Sequence, residues 1–227
     1  MTRVTETASF DPELFAFLRE LKQHNEREWF NANKARYEDD LKEPALAFIE
    51  DMAYRLPEVA PQLTADKRAL FRIYRDTRFA KDKTPYKTHL GIYFRHAASA
   101  DAETPGMYLH LEPRHVFMGA GIWHPGSPAL KRIRDALVAR PEGWRAAVAD
   151  CGPAWTLADG EKLKRPPAGY DKEHPLIEDI KRKSFAMTSP LTQADATGGG
   201  FLDEFAERAA AVRPFMAFLS SALGVAY

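Results

Sequence analysis

Only one cysteine, Cys151, stands among 227 residues, so no internal disulfide can form. Long apolar runs are missing as well. The longest stretch free of Lys, Arg, Asp and Glu runs from His115 to Leu130, and its prolines, glycines and histidines exclude a membrane span. Residues 1–9 are polar, expected to form a disordered tail, and offer no apolar core for a secretory signal. The expected location is therefore the cytoplasm. Net charge is absent too, with 32 basic residues against 32 acidic ones, which excludes a uniformly basic nucleic-acid coat. G-x-S-x-G, the phosphate-binding P-loop and H-E-x-x-H are all missing. Gly119-Ala120-Gly121 lacks the third glycine of a dinucleotide fingerprint.

A chain of this length buries roughly 70% of the surface its unfolded form exposes, enough for a core without staples. Its zero charge is a cancellation. Residues 1–66 carry 8 basic and 14 acidic side chains, a net −6, while residues 67–96 carry 9 and 2, a net +7.

Asp11-Pro12 reads as a helix start, followed by Leu14, Phe17, Leu18 and Leu21 at helical spacing to about His24. Asn25 and Glu28 have the spacing of a capping box for a second helix through Trp29, Asn33, Tyr37 and Leu41, and Pro44 opens a third, with Leu46, Ile49, Ala53 and Leu56 as its stripe, that Pro57 and Pro61 stop. From Phe71 the period changes to two. Phe71 and Ile73, then Leu90 to Phe94, Met107 to Leu111 and Val116 to Trp123 read as an antiparallel sheet of about four strands. Glu112-Pro113-Arg114-His115 is the expected turn. Helices follow from Ser127-Pro128, with Leu130, Ile133, Leu137 and Val138 expected to be buried, and from Pro141, Asp159-Gly160 signals a hairpin, and Ser184 to Thr188 gives a last strand. After the glycines at 198–200 comes an apolar helix that Pro214 should kink or split. The expected fold is a single α+β domain over 10–227, with a helical N-terminal region on a central, mainly antiparallel sheet and helices at the C-terminus.

The densest polar segment runs from Arg72 to Lys87. If a strand persists to Phe79, Arg72, Tyr74, Asp76 and Arg78 share one face, and a carboxylate between two guanidinium groups can hold them to grip a phosphate or carboxylate. Lys81, Asp82, Lys83, Tyr86 and Lys87 follow around Pro85. The same residues can instead form salt bridges to the acidic N-terminal helices, or face a nucleic acid or acidic protein.

The run Tyr74-Arg75-Asp76-x-Arg78-Phe79-x-Lys81-Asp82-Lys83-x-Pro85-Tyr86-Lys87 and the upstream Asn25-x3-Trp29-Phe30-x6-Tyr37 carry a resemblance. So do Tyr108-Leu109-His110-Leu111-Glu112-Pro113, Gly119-x-Gly121-x-Trp123 and Leu163-Lys164-Arg165-x-Pro167-x-Gly169-Tyr170-Asp171. Over roughly residues 10–220 the chain resembles a family of uncharacterised conserved hypothetical proteins classed as a domain of unknown function. The resemblance implies one domain and no particular reaction, substrate or cofactor.

His110 and Glu112 share a strand face, with His124 at the end of the next strand and His89 and His96 on another. Two histidines and a carboxylate can hold a divalent metal, one of them can move a proton, and a half-exposed polar strand face uses the same residue types. Trp123 serves as core or pocket wall, or stacks on a ligand. No metal and no cofactor is assigned. The expected ligand-binding residues are Arg75, Asp76, Arg78, Lys81, Asp82, Lys83, Tyr86, Lys87, His110, Glu112 and Trp123. The expected partner is a small anionic ligand, with an enzyme of unassigned reaction left open. The alternatives are a nucleic-acid or acidic-protein interaction module and a basic motif that is purely structural.

Overall fold

A computed structural model describes residues 10–100 and 103–227; the tail expected over 1–9 lies outside them. Helix α1 (Pro12–Gln23) starts at the expected proline and buries Leu14, Phe15, Phe17, Leu18 and Leu21. The second helix is not continuous. It divides into α2 (Arg27–Ala32), α3 (Lys34–Arg36) and a π-helical turn (Tyr37–Lys42), which leads into α4 (Glu43–Val59). Asn25 does not cap α2, whose N-cap is Glu26 with no side-chain bond; the Asn25 side chain bonds Tyr86 instead. Helix α4 takes Pro57 into its last turn and ends at Val59, before Pro61, and its buried stripe is Ala45, Phe48, Ile49, Met52 and Leu56, with Ala53 exposed.

Among the described residues the sheet has six antiparallel strands rather than about four. They are β1 (Leu63–Thr64), β2 (Leu90–His96), β3 (Gly106–Glu112), β4 (His115–Ile122), β5 (Thr156–Leu157) and β6 (Phe185–Leu191), in the order β1-β2-β3-β4-β6-β5. Glu112 faces His115 across the β3–β4 turn, where Arg114 takes a left-handed φ of 67°. Phe71 and Ile73 lie outside any strand, and residues 71–87 hold a single isolated bridge, between Tyr74 and Tyr86 within the segment itself. The hairpin expected at Asp159-Gly160 does not form, because Leu157 pairs with Met187 and the Leu163 amide bonds the Lys181 carbonyl.

Helices α5 (Ser127–Ala139) and α6 (Pro141–Ala149) start at the expected prolines, although Val138 is exposed. The short α7 (Ile177–Ile180) and α8 (Gln193–Thr197) flank β6. Pro214 splits the last helix at Val212 into α9 (Phe201–Ala211) and α10 (Arg213–Leu223). The core lies on one face of the sheet. Ile92, Phe94, Leu109, Met118 and Phe185 point into it, and Phe94 meets Phe205 of α9 while Phe185 meets Trp144 of α6. The period of two then sends every second residue of the same strands to the opposite face.

Candidate functional site

That opposite face carries few charges. Gly91 and Tyr93 of β2, Gly106, Tyr108, His110 and Glu112 of β3, His115, Phe117, Gly119 and Gly121 of β4, and Thr188 of β6 occupy it in register. Tyr93 and Tyr108 are direct cross-strand partners. Each ring lies over a glycine of the opposing strand: a Cβ on Gly91 would stand 2.8 Å from the Tyr108 hydroxyl, and one on Gly106 would fall on the Tyr93 ring. Phe71 leans on both tyrosines, at ring distances of 6.2 and 5.9 Å, and Phe117 meets Tyr108 at 5.9 Å. The result is a cleft of about 640 Å³ bounded by Phe71, Tyr93, Tyr108, Phe117, Trp123 and Thr188. Its volume falls within the range of small-molecule sites.

Trp123 stands on this rim, 66% exposed, so it is cleft wall and not core. Gly121 lies in the floor with φ of 124°, and a Cβ there would run into the Phe185 carbonyl and come within 2.9 Å of the Ala186 Cα. Only glycine fits such a backbone. Gly119 is different: a Cβ there would find Tyr108 and Phe117 at 3.7–3.9 Å, ordinary contact, in a strand that does not require glycine at that point.

Beyond Phe117 the same face turns polar. The Tyr108 hydroxyl and His110 Nδ1 are 2.9 Å apart, and His110 Nε2 lies 3.4 Å from Glu112 Oε2. His115 Nδ1 stands 3.9 Å from that carboxylate oxygen, and Lys22 Nζ is 3.6 Å from the other. Phe117 stacks on the His110 ring at 4.9 Å, with His89 at 4.5 Å. Burial first, then neighbouring His89, pushes His110 down to about 4, against the smaller upward pull of Glu112. The ring is neutral at pH 7, with one nitrogen able to donate and the other to accept. Burial also raises the Tyr108 phenol to about 12. Of the expected histidines, His89 joins this cluster, while His96 bonds the Ala226 carbonyl and His124 lies beside Trp123.

The long basic motif folds into an irregular loop over 71–87. Arg75 Nη1 donates to Asp82 Oδ2 at 2.6 Å and to Thr84, and Arg78 forks onto Asp76 at 2.7 and 3.0 Å. Lys83 Nζ donates to the Thr77 carbonyl at 2.8 Å, and Lys87 Nζ donates to the Arg72 carbonyl at 2.7 Å. The strand-face alternation expected for Arg72 to Arg78 is therefore replaced by local pairs. Apart from Asp66 and Arg68 at their border, the acidic and basic segments do not pair with one another among the described residues; Glu20 and Asp40 take Arg36, and Glu38 takes Lys42. Tyr86 is buried and stacks on Phe30 at 4.1 Å.

The expected site residues thus fall into three groups. Asp76, Arg78, Lys81, Asp82 and Lys83 lie on the exposed loop. Arg75 and Tyr86 border a smaller cavity of about 330 Å³ with Arg27, Asn31 and Tyr74. His110, Glu112 and Trp123 lie along the outer sheet face, and Lys87 approaches it, with Nζ 5.3 Å from the centroid of the cleft residue Phe71. Tyr93, Tyr108, Phe117 and His115 belong to this face as well and lie outside the set expected from sequence. Their signal was aromatic and glycine residues at strand positions where a solvated face would carry charge.

The chain matches, over residues 13–218, the family described as conserved hypothetical protein (DUF2461). The protein belongs to the DUF2461 family. No curated protein matches the chain. The matched span of this DUF2461 chain takes in the basic loop, the aromatic cleft and the histidine cluster together.

Proposed function

We propose that the protein binds a small molecule with a planar apolar body and an anionic group, the body lying in the cleft on the outer face of the sheet. The observation that carries this reading is the aromatic wall over a glycine-bearing floor: Phe71, Tyr93, Tyr108, Phe117 and Trp123 present ring surface, while Gly119 leaves the space between Tyr108 and Phe117 unfilled. Flat rings favour offset or edge contacts with aromatic side chains, about 0.5–1.5 kcal/mol per pair beyond area burial. The Lys87 ammonium beside Phe71 supplies positive charge near one wall, which supports the anionic group. Burial, with Arg72 second, lowers the Lys87 pKa, consistent with an ammonium that is short of solvent.

The test uses an anilinonaphthalene sulfonate as a planar anionic probe. Saturable fluorescence enhancement with one site per chain is expected in the wild type, and its loss is expected in Gly119→Val, whose side chain projects into the cleft. Equal binding by a folded Gly119→Val protein would sink the reading.

A second reading rests on the smaller cavity. Arg27 and the remaining nitrogens of Arg75 meet no carboxylate among the described residues, and Asn31 lines the same space, a donor set suited to a free phosphate. Inorganic phosphate binding that disappears in Arg27→Gln supports it; unchanged binding rejects it. A nucleic-acid or acidic-protein surface on the loop is the weaker option, because Asp76 and Asp82 neutralise two of its arginines in place.

A further inference from the structure

We propose that His110, Glu112 and His115 form a binding site for a divalent transition-metal ion at the turn end of the outer sheet face. The inference stands apart from the small-molecule reading of the cleft. It begins with strand register. Glu112 and His115 are paired across the tight β3–β4 turn, and His110 precedes Glu112 by two residues on the same face, so pleat and turn bring all three side chains to one point. One ligand atom from each lies within 4.8 Å of the other two. Glu112 Oε2 is 3.4 Å from His110 Nε2 and 3.9 Å from His115 Nδ1. Tetrahedral bonds of roughly 2.1 Å place ligands roughly 3.4 Å apart, so small side-chain rotations close the set around an ion.

Three further features fit metal ligation. Tyr108 lies at hydrogen-bond distance from His110 Nδ1. With the ring's single proton on Nδ1 and donated to the Tyr108 oxygen, the Nε2 lone pair faces Glu112 and is available to a cation, the outer-shell arrangement that orients metal-binding histidines. Lys22 stands by Glu112 Oε1, leaving Oε2 between the two imidazoles. Phe117 and His89 hold the His110 ring from its sides, so one ligand is fixed while His115, with 65% of its side chain exposed, can swing onto the ion.

Two imidazoles and one carboxylate suit Zn²⁺ and its neighbours in the first transition row better than Mg²⁺ or Ca²⁺, which prefer all-oxygen sites. Three protein ligands with an exposed side leave a coordination position for water or for a ligand oxygen, as in reactive rather than purely structural sites. The position adjoins the cleft through Phe117, which contacts His110 and also lines the cavity. Tyr108 is a positioning residue here, acting through His110.

The experiment titrates full-length, tag-free, chelator-treated protein with Zn²⁺ by calorimetry and with Co²⁺ by visible absorption. The expected result is one ion per chain, with d–d bands of a low-symmetry, nitrogen-containing site. His115→Ala and Glu112→Gln each weaken Zn²⁺ binding more than about tenfold; both residues reach solvent, and circular dichroism confirms that the variants fold. Tyr108→Phe weakens Zn²⁺ by about tenfold, the size typical of an outer-shell partner, and shifts the Co²⁺ spectrum, which a purely structural role would not do. Absence of stoichiometric binding, or affinity unchanged in both folded His115→Ala and Glu112→Gln, overturns the proposal.

Discussion

Asn25 and Tyr86 exchange two hydrogen bonds, Asn25 Nδ2 to the Tyr86 carbonyl and the Tyr86 amide to Asn25 Oδ1, each 3.0 Å long. The side chain at the end of the first helix thus takes the place that a neighbouring strand would hold, and it fixes where the basic loop rejoins the fold. Replacing it leaves a donor and an acceptor of the Tyr86 backbone unpaired. Asn25→Ala is expected to cost about 1–3 kcal/mol and to lower Tm by several degrees, with Asn25→Asp, which keeps only the acceptor, in between. Thermal denaturation of the three proteins checks the order.

The two glycines of the cleft floor have opposite tolerance. Gly119→Val adds a β-branched side chain to a strand position with room for its Cβ and should leave Tm unchanged or raise it. Gly121→Ala must strain a backbone at φ 124° beneath the Phe185 carbonyl and should cost more than about 1 kcal/mol. Equal Tm values for the two variants would contradict the described floor.

Asp82 gives the loop a pH dependence. The Thr84 amide first, then Arg75 and the Thr84 hydroxyl, hold its carboxyl down at about 2, below its ordinary 3.8. A carboxyl depressed in the folded state contributes fully above its unfolded pKa and loses that contribution as pH falls through the folded one. Order in the loop should therefore persist at pH 5 and decline between about pH 4 and pH 2. Amide exchange at Arg75 and Lys87, whose N–H groups bond the Pro85 and Ile73 carbonyls, reads this directly, and in Asp82→Asn the transition should vanish.

The two motif arginines should differ in the same measurement. Arg75 bonds Asp82 and Thr84 across the loop, while the Arg78 side chain, 78% exposed, bonds among the described residues only Asp76, two residues away. Exposed pairs of the second kind contribute little. Arg75→Ala should speed exchange at Lys87, and Arg78→Ala should leave it unchanged.

Much of the fold was legible because its signals are local. Asp11-Pro12, Pro44, Ser127-Pro128 and Pro141 open helices where proline is expected, and Pro214 divides the last one. The alternation in 90–94, 107–111 and 116–122 gives three of the central strands. The loop over 71–87 was not legible, since its path depends on Asn25 and Phe30 from distant helices, and the motif's own aspartates end what looked like a strand. Of the site, His110, Glu112 and Trp123 were readable as polar or aromatic strand residues. The cleft itself was not, because Tyr93 over Gly106 and Tyr108 over Gly91 are cross-strand relations that exist only once the register is set.

The central claim is that the outer face of the sheet, and not the exposed basic loop, receives the ligand. Amide chemical-shift mapping during titration with the anilinonaphthalene sulfonate tests it most directly. Shifts concentrated at residues 106–108, 117–123 and 186–188, absent in Gly119→Val, are the predicted result; shifts confined to residues 75–83, or none at saturating probe, would contradict it.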